Sequence, residues 1–521
     1  MKQPCDEAQI RARRGIVPCG AKSAPWILAA TILGSSMAFI DGTVVNVALP
    51  ALQSSLHATV VDVQWVIEAY GLFLSALILV GGALGDSLGR RLVFLLGTAL
   101  FAASSVGCAL SVSVLQLIIA RSVQGIGGAA LVPSSLAIIS ASFDEQSRGK
   151  AIGTWSGFTA ITTALGPVVG GWLIEHASWH WVFLINVPIA AAVIVISVFH
   201  LPESRNPSAQ RIDWLGAFVA TLSLAGLVYG FVESALLGWS SPRVLTGLII
   251  GFGSLILFVF VEARVAAPMV PLSLFKSRTF SGANLLTLLL YGALGAFFFL
   301  FPMNLIQIHG YSATATGAAA LPTILLMFFL SRWSGGLVTR YQARTPLVVG
   351  PLIVAFGFFL FAWPLVEGSY WTTFFPAFVV LGLGLAVSVA PLTTVVMGSV
   401  ESNRAGTASG INNAVARVAG VLAVAVLGNV MVQAFANRLQ MLLRTLELPG
   451  NVLHGIRSEV LRLGDLSVPP GLDTNTTATI RADIGQAFVF GFRLVMVICA
   501  GLAIASATVA WRSMPARQAK Q

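Results

Sequence analysis

Asp41, Glu68 and Arg121 are ionisable side chains standing inside long apolar stretches. An ionised group at the centre of a bilayer costs at least about 2.5 to 3.5 kcal/mol, so it persists only where it faces a polar cavity, meets an opposite charge or carries a proton. The chemistry open to an acid so placed is reversible protonation or cation binding. An arginine stays charged and competes with the proton for a neighbouring carboxylate. Asp41 and Arg121 therefore have two readings: a permanent ion pair that fixes helix packing, or a pair whose carboxylate trades Arg121 for a proton or a cationic substrate. Glu68 lies between ordinary exposure at the membrane interface and proton or cation handling.

The elements that carry these groups follow from hydropathy. Asp41 is about two-thirds of the way along residues 25–47, long enough at about 1.5 Å per residue to cross about 30 Å of hydrocarbon. Fourteen such segments run from 25–47 to 486–510 in a chain of 521 residues, 56% apolar and 10% charged. Soluble domains carry roughly 25% charge. The expected fold class is an all-α polytopic membrane protein, and the 51 glycines suit close helix approach in lipid. With the first segment running outward and the fourth inward, Asp41 and Arg121 lie at similar depths, each roughly six to nine residues from the outer face.

The net charge of +10 is distributed by topology: 20 of the 30 Lys and Arg fall in the two tails and in alternate short loops. That positive-inside pattern puts both termini on the cytoplasmic side of the cell membrane and makes anionic lipid headgroups, not nucleic acid, the partner of the basic residues. Cys5, Cys19, Cys108 and Cys499 form neither a disulfide framework nor a metal pattern. The first segment is too long for a removed signal peptide and reads as an uncleaved anchor.

Two landmarks repeat. Gly82-Ala-Leu-Gly-Asp86-Ser-Leu-Gly89-Arg90-Arg91 after the second segment matches Gly336 to Arg344 after the tenth, and Glu145-Gln-Ser-Arg148 after the fourth matches Glu401-Ser-Asn-Arg404 after the twelfth, at offsets of 254 and 256 residues. Segments 1 to 6 thus correspond to 9 to 14, with 7 and 8 inserted. The expected organisation is a tail (1–24), an N-terminal six-helix bundle (25–200), an inserted pair with linkers (201–279), a C-terminal six-helix bundle (280–510) and a tail (511–521). Residues 432–485 form the one long external loop, in which Val452, Leu453, Ile456, Val460, Leu461 and Leu463 have helical spacing, as in a short amphipathic element.

The motifs resemble those of the major facilitator superfamily, and in particular its fourteen-helix drug:proton antiporter family. Asp41-Gly-Thr43-Val-Val-Asn46-Val-Ala-Leu-Pro50 resembles the first-helix signature of that family, and Gly82 to Arg91 resembles the loop between helices two and three. Arg121-Ser-Val-Gln-Gly125-Ile-Gly127-Gly128 is similar to the fourth-helix motif, and Gly166-Pro167-Val-Val-Gly170-Gly171 to the fifth-helix antiporter motif. The resemblance implies the major facilitator fold and alternating access between two bundles, with Asp41, Arg121 and Glu68 in proton or substrate coupling. It also implies that Gly82, Asp86, Gly89, Arg90 and Arg91 form a gating loop whose Asp86 meets the start of segment 13 near Gly406. The glycines of segment 5 are a sealing or bending device in the same family. His180 stands where the family usually has arginine.

No phosphate-binding Gly-x-x-x-x-Gly-Lys-[Ser/Thr] loop is present, which leaves an ion gradient as the simplest energy source. The expected activity is proton-coupled export of hydrophobic or cationic small molecules. An endogenous lipid, siderophore or metabolite is the alternative cargo, and a membrane enzyme or sensor the remote one. The spacing His57-x4-Asp62 occurs in some acyltransferases, but here it lies in a short loop with no supporting domain. Candidate cavity groups are Asn46, Tyr70, Trp155, Phe158, Asn284, Tyr291, Phe298, Asn304, Gln307, Asn413 and Arg417. No cofactor or metal site is expected, and nothing in the sequence identifies a periplasmic adaptor. Asp41→Asn is expected to abolish gradient-driven efflux while leaving folding intact.

Overall fold

A computed structural model describes residues 23–143, 145–205, 212–363, 369–400, 405–444, 446, 448–468 and 472–515. All regular secondary structure in them is helical. Among the described residues, thirteen helices are long and apolar enough to cross a membrane: α1 Ala24–Leu56, α2 Val60–Leu88, α3 Arg90–Ala109, α4 Val114–Ser142, α6 His180–His200, α7 Trp214–Leu237, α8 Pro242–Glu262, α9 Arg278–Ile308, α10 Ala313–Leu330, α11 Arg344–Ala362, α12 Phe375–Gly398, α13 Thr407–Leu443 and α14 Thr474–Ser513. The expected fifth segment is the 32-residue helix α5, Glu145–His176, several of whose side chains lie outside the described residues. The basic tail to Lys22, with Cys5 and Cys19, lies outside them too, as do Arg211, Arg404 and the side chains of Arg148, Lys150, Arg332 and Thr339.

The lipid side of a helix is legible where only one face is buried. On α8, Leu245, Ile249, Phe252, Ile256 and Phe260 are all exposed and recur at helical spacing. Such a stripe is stable only against an apolar solvent.

The chain divides into two compact units: Met1–Val45, Ala69–Ala225 and Gly253–Pro271 in one, and Asn46–Glu68, Gly226–Phe252 and Leu272–Gln521 in the other. In the first, α4 packs on α3 and α2 through small residues. A Cβ on Gly125 would strike the main chain at Tyr70, and one on Gly127 the main chain at Phe101, so backbones there approach more closely than any larger residue allows. In the second, Phe297, Phe301, Phe358, Phe361, Phe374 and Phe378 form an aromatic core, with ring centroids such as Phe297 and Phe361 4.7 Å apart. The second half of α7 is pinned within that unit by Trp65 Nε1, which donates to Glu233 Oε1 at 2.8 Å, and by Asn429 Nδ2, which donates to the Phe231 carbonyl at 3.1 Å.

Helix ends depart from the hydropathy reading. Residues 432–443 and 474–485, expected in the external loop, are helical continuations of α13 and α14. Phe435, Leu439 and Leu443 are buried at intervals of four, as are Ile480 and Ile484. Amphipathic helix extends past the point where mean hydropathy falls, and Asp473 starts α14 by accepting a hydrogen bond from the Thr476 amide at 2.9 Å. Between them lie a nine-residue helix, Gly450–Ser458, with Val452 and Ile456 buried, and a 3₁₀ turn, Val460–Asp465, with Leu463 buried.

Candidate functional site

The charges singled out in α1 and α4 meet. Arg121 Nη1 donates to Asp41 Oδ2 in an ion pair whose side chains are 1% and 0% exposed. Burial at this level leaves no water to satisfy the remaining lone pairs and protons, so protein must. Gln124, one helical turn after Arg121, accepts from Arg121 Nη1 at 2.7 Å through Oε1 and donates from Nε2 to Asp41 Oδ1 at 2.9 Å and to Ser105 Oγ at 2.9 Å. Asn186, just past the break in α6 at Ile185, donates to Asp41 Oδ1 and Ser105 Oγ, both at 3.3 Å. The Ser105 hydroxyl donates a hydrogen bond to the Phe101 carbonyl at 2.8 Å. Tyr70 lies under the guanidinium, its ring centroid 4.2 Å from Arg121 Cζ and its hydroxyl bonded to the Ala38 carbonyl at 3.1 Å, a cation–π contact in a dry setting. Five helices, α1, α2, α3, α4 and α6, thus converge on one carboxylate and one guanidinium.

Neighbouring glycines set how closely α5 approaches this point. A Cβ on Gly166 would overlap Thr43 Oγ1, and one on Gly170 would overlap Val44. Thr43 Oγ1 itself reaches the Thr163 carbonyl at 3.3 Å. Pro167 lies within the continuous helix between them and Gly171 is buried. The antiporter-like motif of α5 thus packs on α1 two and three residues after Asp41.

Glu68 has the opposite surroundings. It is fully buried, and neither carboxylate oxygen has a hydrogen-bond partner among the described residues, which rules out interfacial exposure here. A buried carboxylate without a partner is far cheaper neutral than ionised.

The gating-loop residues form a local cluster. Arg90 Nε and Nη2 donate to Asp86 Oδ1 at 2.9 and 2.7 Å, so Asp86 has a partner one turn away. The expected contact near Gly406 adjoins residues 401–404, outside the described set. Gly89 holds φ at 129°, where a side chain is strained, and a Cβ would also strike the Glu203 carboxylate. Glu203 caps α3 by accepting from the amides of Arg91 and Leu92, each at 3.1 Å, and the Arg91 guanidinium donates to the Val198 carbonyl at 3.1 Å. Gly82 is half-buried at the α2 end of the motif.

The candidate cavity residues separate. Trp155 is buried with Nε1 donating to Ser35 Oγ at 3.1 Å, and Asn284 is buried with Nδ2 donating to the Phe280 carbonyl at 2.9 Å and Oδ1 accepting from Asn412 at 3.2 Å. Both are closed hydrogen-bonded groups here instead of open lining, because their polar atoms are already matched within the bundle. Tyr70 belongs to the Arg121 network. Asn46, Tyr291 and Arg417 are half-buried and Asn413 is exposed. Phe158 is exposed, and Asn304 and Gln307 lie in a short π-helical turn at the end of α9. His180 stacks on Trp179 with centroids 3.8 Å apart. Among the described residues no group of three or more His, Cys, Asp or Glu could hold a metal ion.

Sequence reading singled out Asp41 and Arg121 but not Gln124, Ser105, Asn186 or Glu203 as site residues. Gln124 carried a signal, since a glutamine three residues after a membrane arginine shares its helix face.

The Major Facilitator Superfamily model matches residues 31–424. The chain belongs to that family. It is 32% identical over 507 residues to the tetracenomycin C resistance and export protein of Streptomyces glaucescens, covering 94% of this chain and 92% of that protein. It is 34% identical to the multidrug resistance protein Stp of Mycobacterium tuberculosis, over 78% and 75% of the two chains, and 32% identical to the methylenomycin A resistance protein of Bacillus subtilis, over 76% and 85%. In fold it is similar to a bacterial homologue of the lysosomal transporter Spinster in an inward-facing form, with a TM-score of 0.64, 17% identity and coverage of 95% and 99%. The protein is therefore a multi-pass membrane transporter and not an enzyme.

Proposed function

We propose that this transporter exports hydrophobic or cationic small molecules, antibiotics among them, across the cytoplasmic membrane in exchange for protons. The two halves would be segments 1–6 and 9–14, with α7 and α8 inserted and both termini cytoplasmic. The observation that carries the coupling is the fully buried Asp41–Arg121 pair with its Gln124 and Asn186 supports. A charge pair held in a dry bundle is costly unless it is used, since an apolar replacement of equal volume is often more stable. The substrate class follows the relatives, whose names record resistance to or export of tetracenomycin C, resistance to methylenomycin A, and multidrug resistance.

Asp41 and Glu68 divide the labour in this reading. Asp41 accepts from Arg121, Gln124 and Asn186, so protonating it displaces established partners and couples the proton to helix rearrangement. Glu68 has no partner to lose among the described residues and serves as a proton store. Gating by the Gly82–Arg91 segment would act through the Asp86–Arg90 pair and the Glu203 cap. The test is reconstitution in vesicles with an imposed pH gradient, a fluorescent cationic dye as substrate and a pH dye in the lumen. Substrate addition should release protons in step with dye movement, with Asp41→Asn inactive. Dye transport indifferent to the gradient would sink the coupling.

A further inference from the structure

The internal repeat leaves α7 and α8 outside both six-helix sets, and their role has to be read from what they touch. A Cβ on Gly226 would strike the main chain of Gly251, and one on Gly251 the main chain at Leu227. So close a crossing makes the two helices one stiff body. The outer half of α7 is bonded on two sides. Toward α2, Trp65 Nε1 donates to Glu233 Oε1 at 2.8 Å, and the Trp65 ring tilts on Tyr229 with centroids 6.2 Å apart. Toward α13, Asn429 Nδ2 donates to the Phe231 carbonyl at 3.1 Å and to Ser234 Oγ. α2 and α13 also meet directly: Gln64 Nε2 donates to the Val424 carbonyl at 2.7 Å, and Gly428 has no room for a Cβ beside the Gln64 amide.

In the organisation proposed above, α2 belongs to segments 1–6 and α13 to segments 9–14. Gln53 and Gln307 mark the same meeting of halves. They are 254 residues apart, the offset of the first repeat landmark, and Gln307 Nε2 donates to Gln53 Oε1 at 2.9 Å. Equivalent residues of two halves touch only near the axis that relates them. Opening of the outer side moves α2 away from α13, and a stiff body bonded to both cannot follow both. The tie to α13 has two hydrogen bonds, and its Asn429 and Ser234 are 3% and 0% exposed. The tie to α2 has one, between half-buried side chains. Resting on that two-half reading, we propose that α7, carried by α13, is a strap across the α2–α13 seam. The Trp65–Glu233 hydrogen bond is the joint that fastens the outward-closed form and lets go when the outer side opens.

The test uses the full-length protein in nanodiscs, with Cys5→Ser and Cys19→Ser to clear the tail and Gln53→Cys as the reporter. Gln53 is 0% exposed here, so a water-soluble maleimide reaches that position only when α1 and α9 part, and the labelling rate reads the open fraction. Trp65→Phe keeps a ring against Tyr229 and removes the donor; it should speed labelling about tenfold, the worth of one hydrogen bond to a carboxylate. Glu233→Leu should do the same, and the double variant no more than either alone. Cys108 and Cys499, both 0% exposed, report general loosening and should label no faster. Unchanged reporter labelling in Trp65→Phe, single effects that add, or a parallel rise at Cys108 and Cys499 would overturn the strap. All rates are taken at one pH with no gradient, so they do not depend on proton coupling. Faster labelling of the Gln53→Cys protein on addition of a transported dye tests outer opening by itself, and the strap can fail while alternating access stands.

Discussion

Replacing Asp41 by asparagine tests the buried pair most directly, and its effect on stability is not the neutral one expected from sequence. Arg121 is 1% exposed and its Nη1 bonds to Asp41 and Gln124. Arginine cannot shed its proton in a protein, so the variant leaves a buried, uncompensated cation. Breaking a buried pair from one side costs about 3 to 5 kcal/mol. Arg121→Met leaves a carboxylate behind, but Asp41 can take up a proton and keeps the Gln124 and Asn186 donors; its cost should fall below that of Asp41→Asn. The double variant removes both charges and should recover several kcal/mol relative to the summed single costs. Thermal unfolding of the purified proteins in one detergent at fixed salt and pH gives the order: wild type, the double variant, Arg121→Met, Asp41→Asn. Efflux in vesicles should be absent from all three variants, separating the use of the pair from its stability. An Asp41→Asn protein that unfolds with the wild type, or single effects that simply add, would refute the reasoning.

Other expectations concern the elements around the pair. Gly166→Leu should push α5 away from Thr43 and abolish transport at normal membrane level, with Gly166→Ala intermediate; transport assays alongside quantified membrane protein check this. Glu203→Ala removes the cap from the Arg91 and Leu92 amides and should cost about 1 kcal/mol, read as a lowered unfolding temperature that Glu203→Asp partly restores. In the 450–466 element, hydrogen bonds from Ser467, its hydroxyl foremost, outweigh partial burial and, with Arg462, hold Glu459 below the ordinary glutamate value. A depressed value means stability present above the unfolded value of 4.5 and lost as pH falls through the folded one. Limited proteolysis of this segment should therefore accelerate below that range in the wild type and much less in Glu459→Gln, the change being small because the side chain is partly exposed.

The helical spans were legible because a bilayer demands about twenty apolar residues per crossing, and that demand is strong enough to survive a first-order reading. Their ends were less so. α13 and α14 run into the expected loop because Phe435, Leu439, Ile480 and Ile484 continue a buried stripe among charged residues that lower the average. A window average registers composition, whereas the helix follows periodicity and a cap such as Asp473. The break in α6 at Ile185 and the π-helical turn at Asn304–Ile308 likewise leave no mark on hydropathy.

Within the site, charge was the legible part and satisfaction of charge was not. Asp41 and Arg121 announce themselves by their cost in an apolar segment, and opposite helix directions put them at one depth. Of the neutral groups that make the pair affordable, Gln124 is marked in sequence only by its spacing from Arg121, and Ser105 and Asn186 reach the carboxylate network only through the crossing of α3 and α6 with α4. The same gap separates Glu68 from Asp41. Both are acids in apolar helices, yet one is surrounded by donors and the other by none among the described residues. That contrast in neighbours separates the two acids: a proton on Asp41 competes with the Arg121, Gln124 and Asn186 donors, whereas Glu68 has no such donor to displace among the described residues.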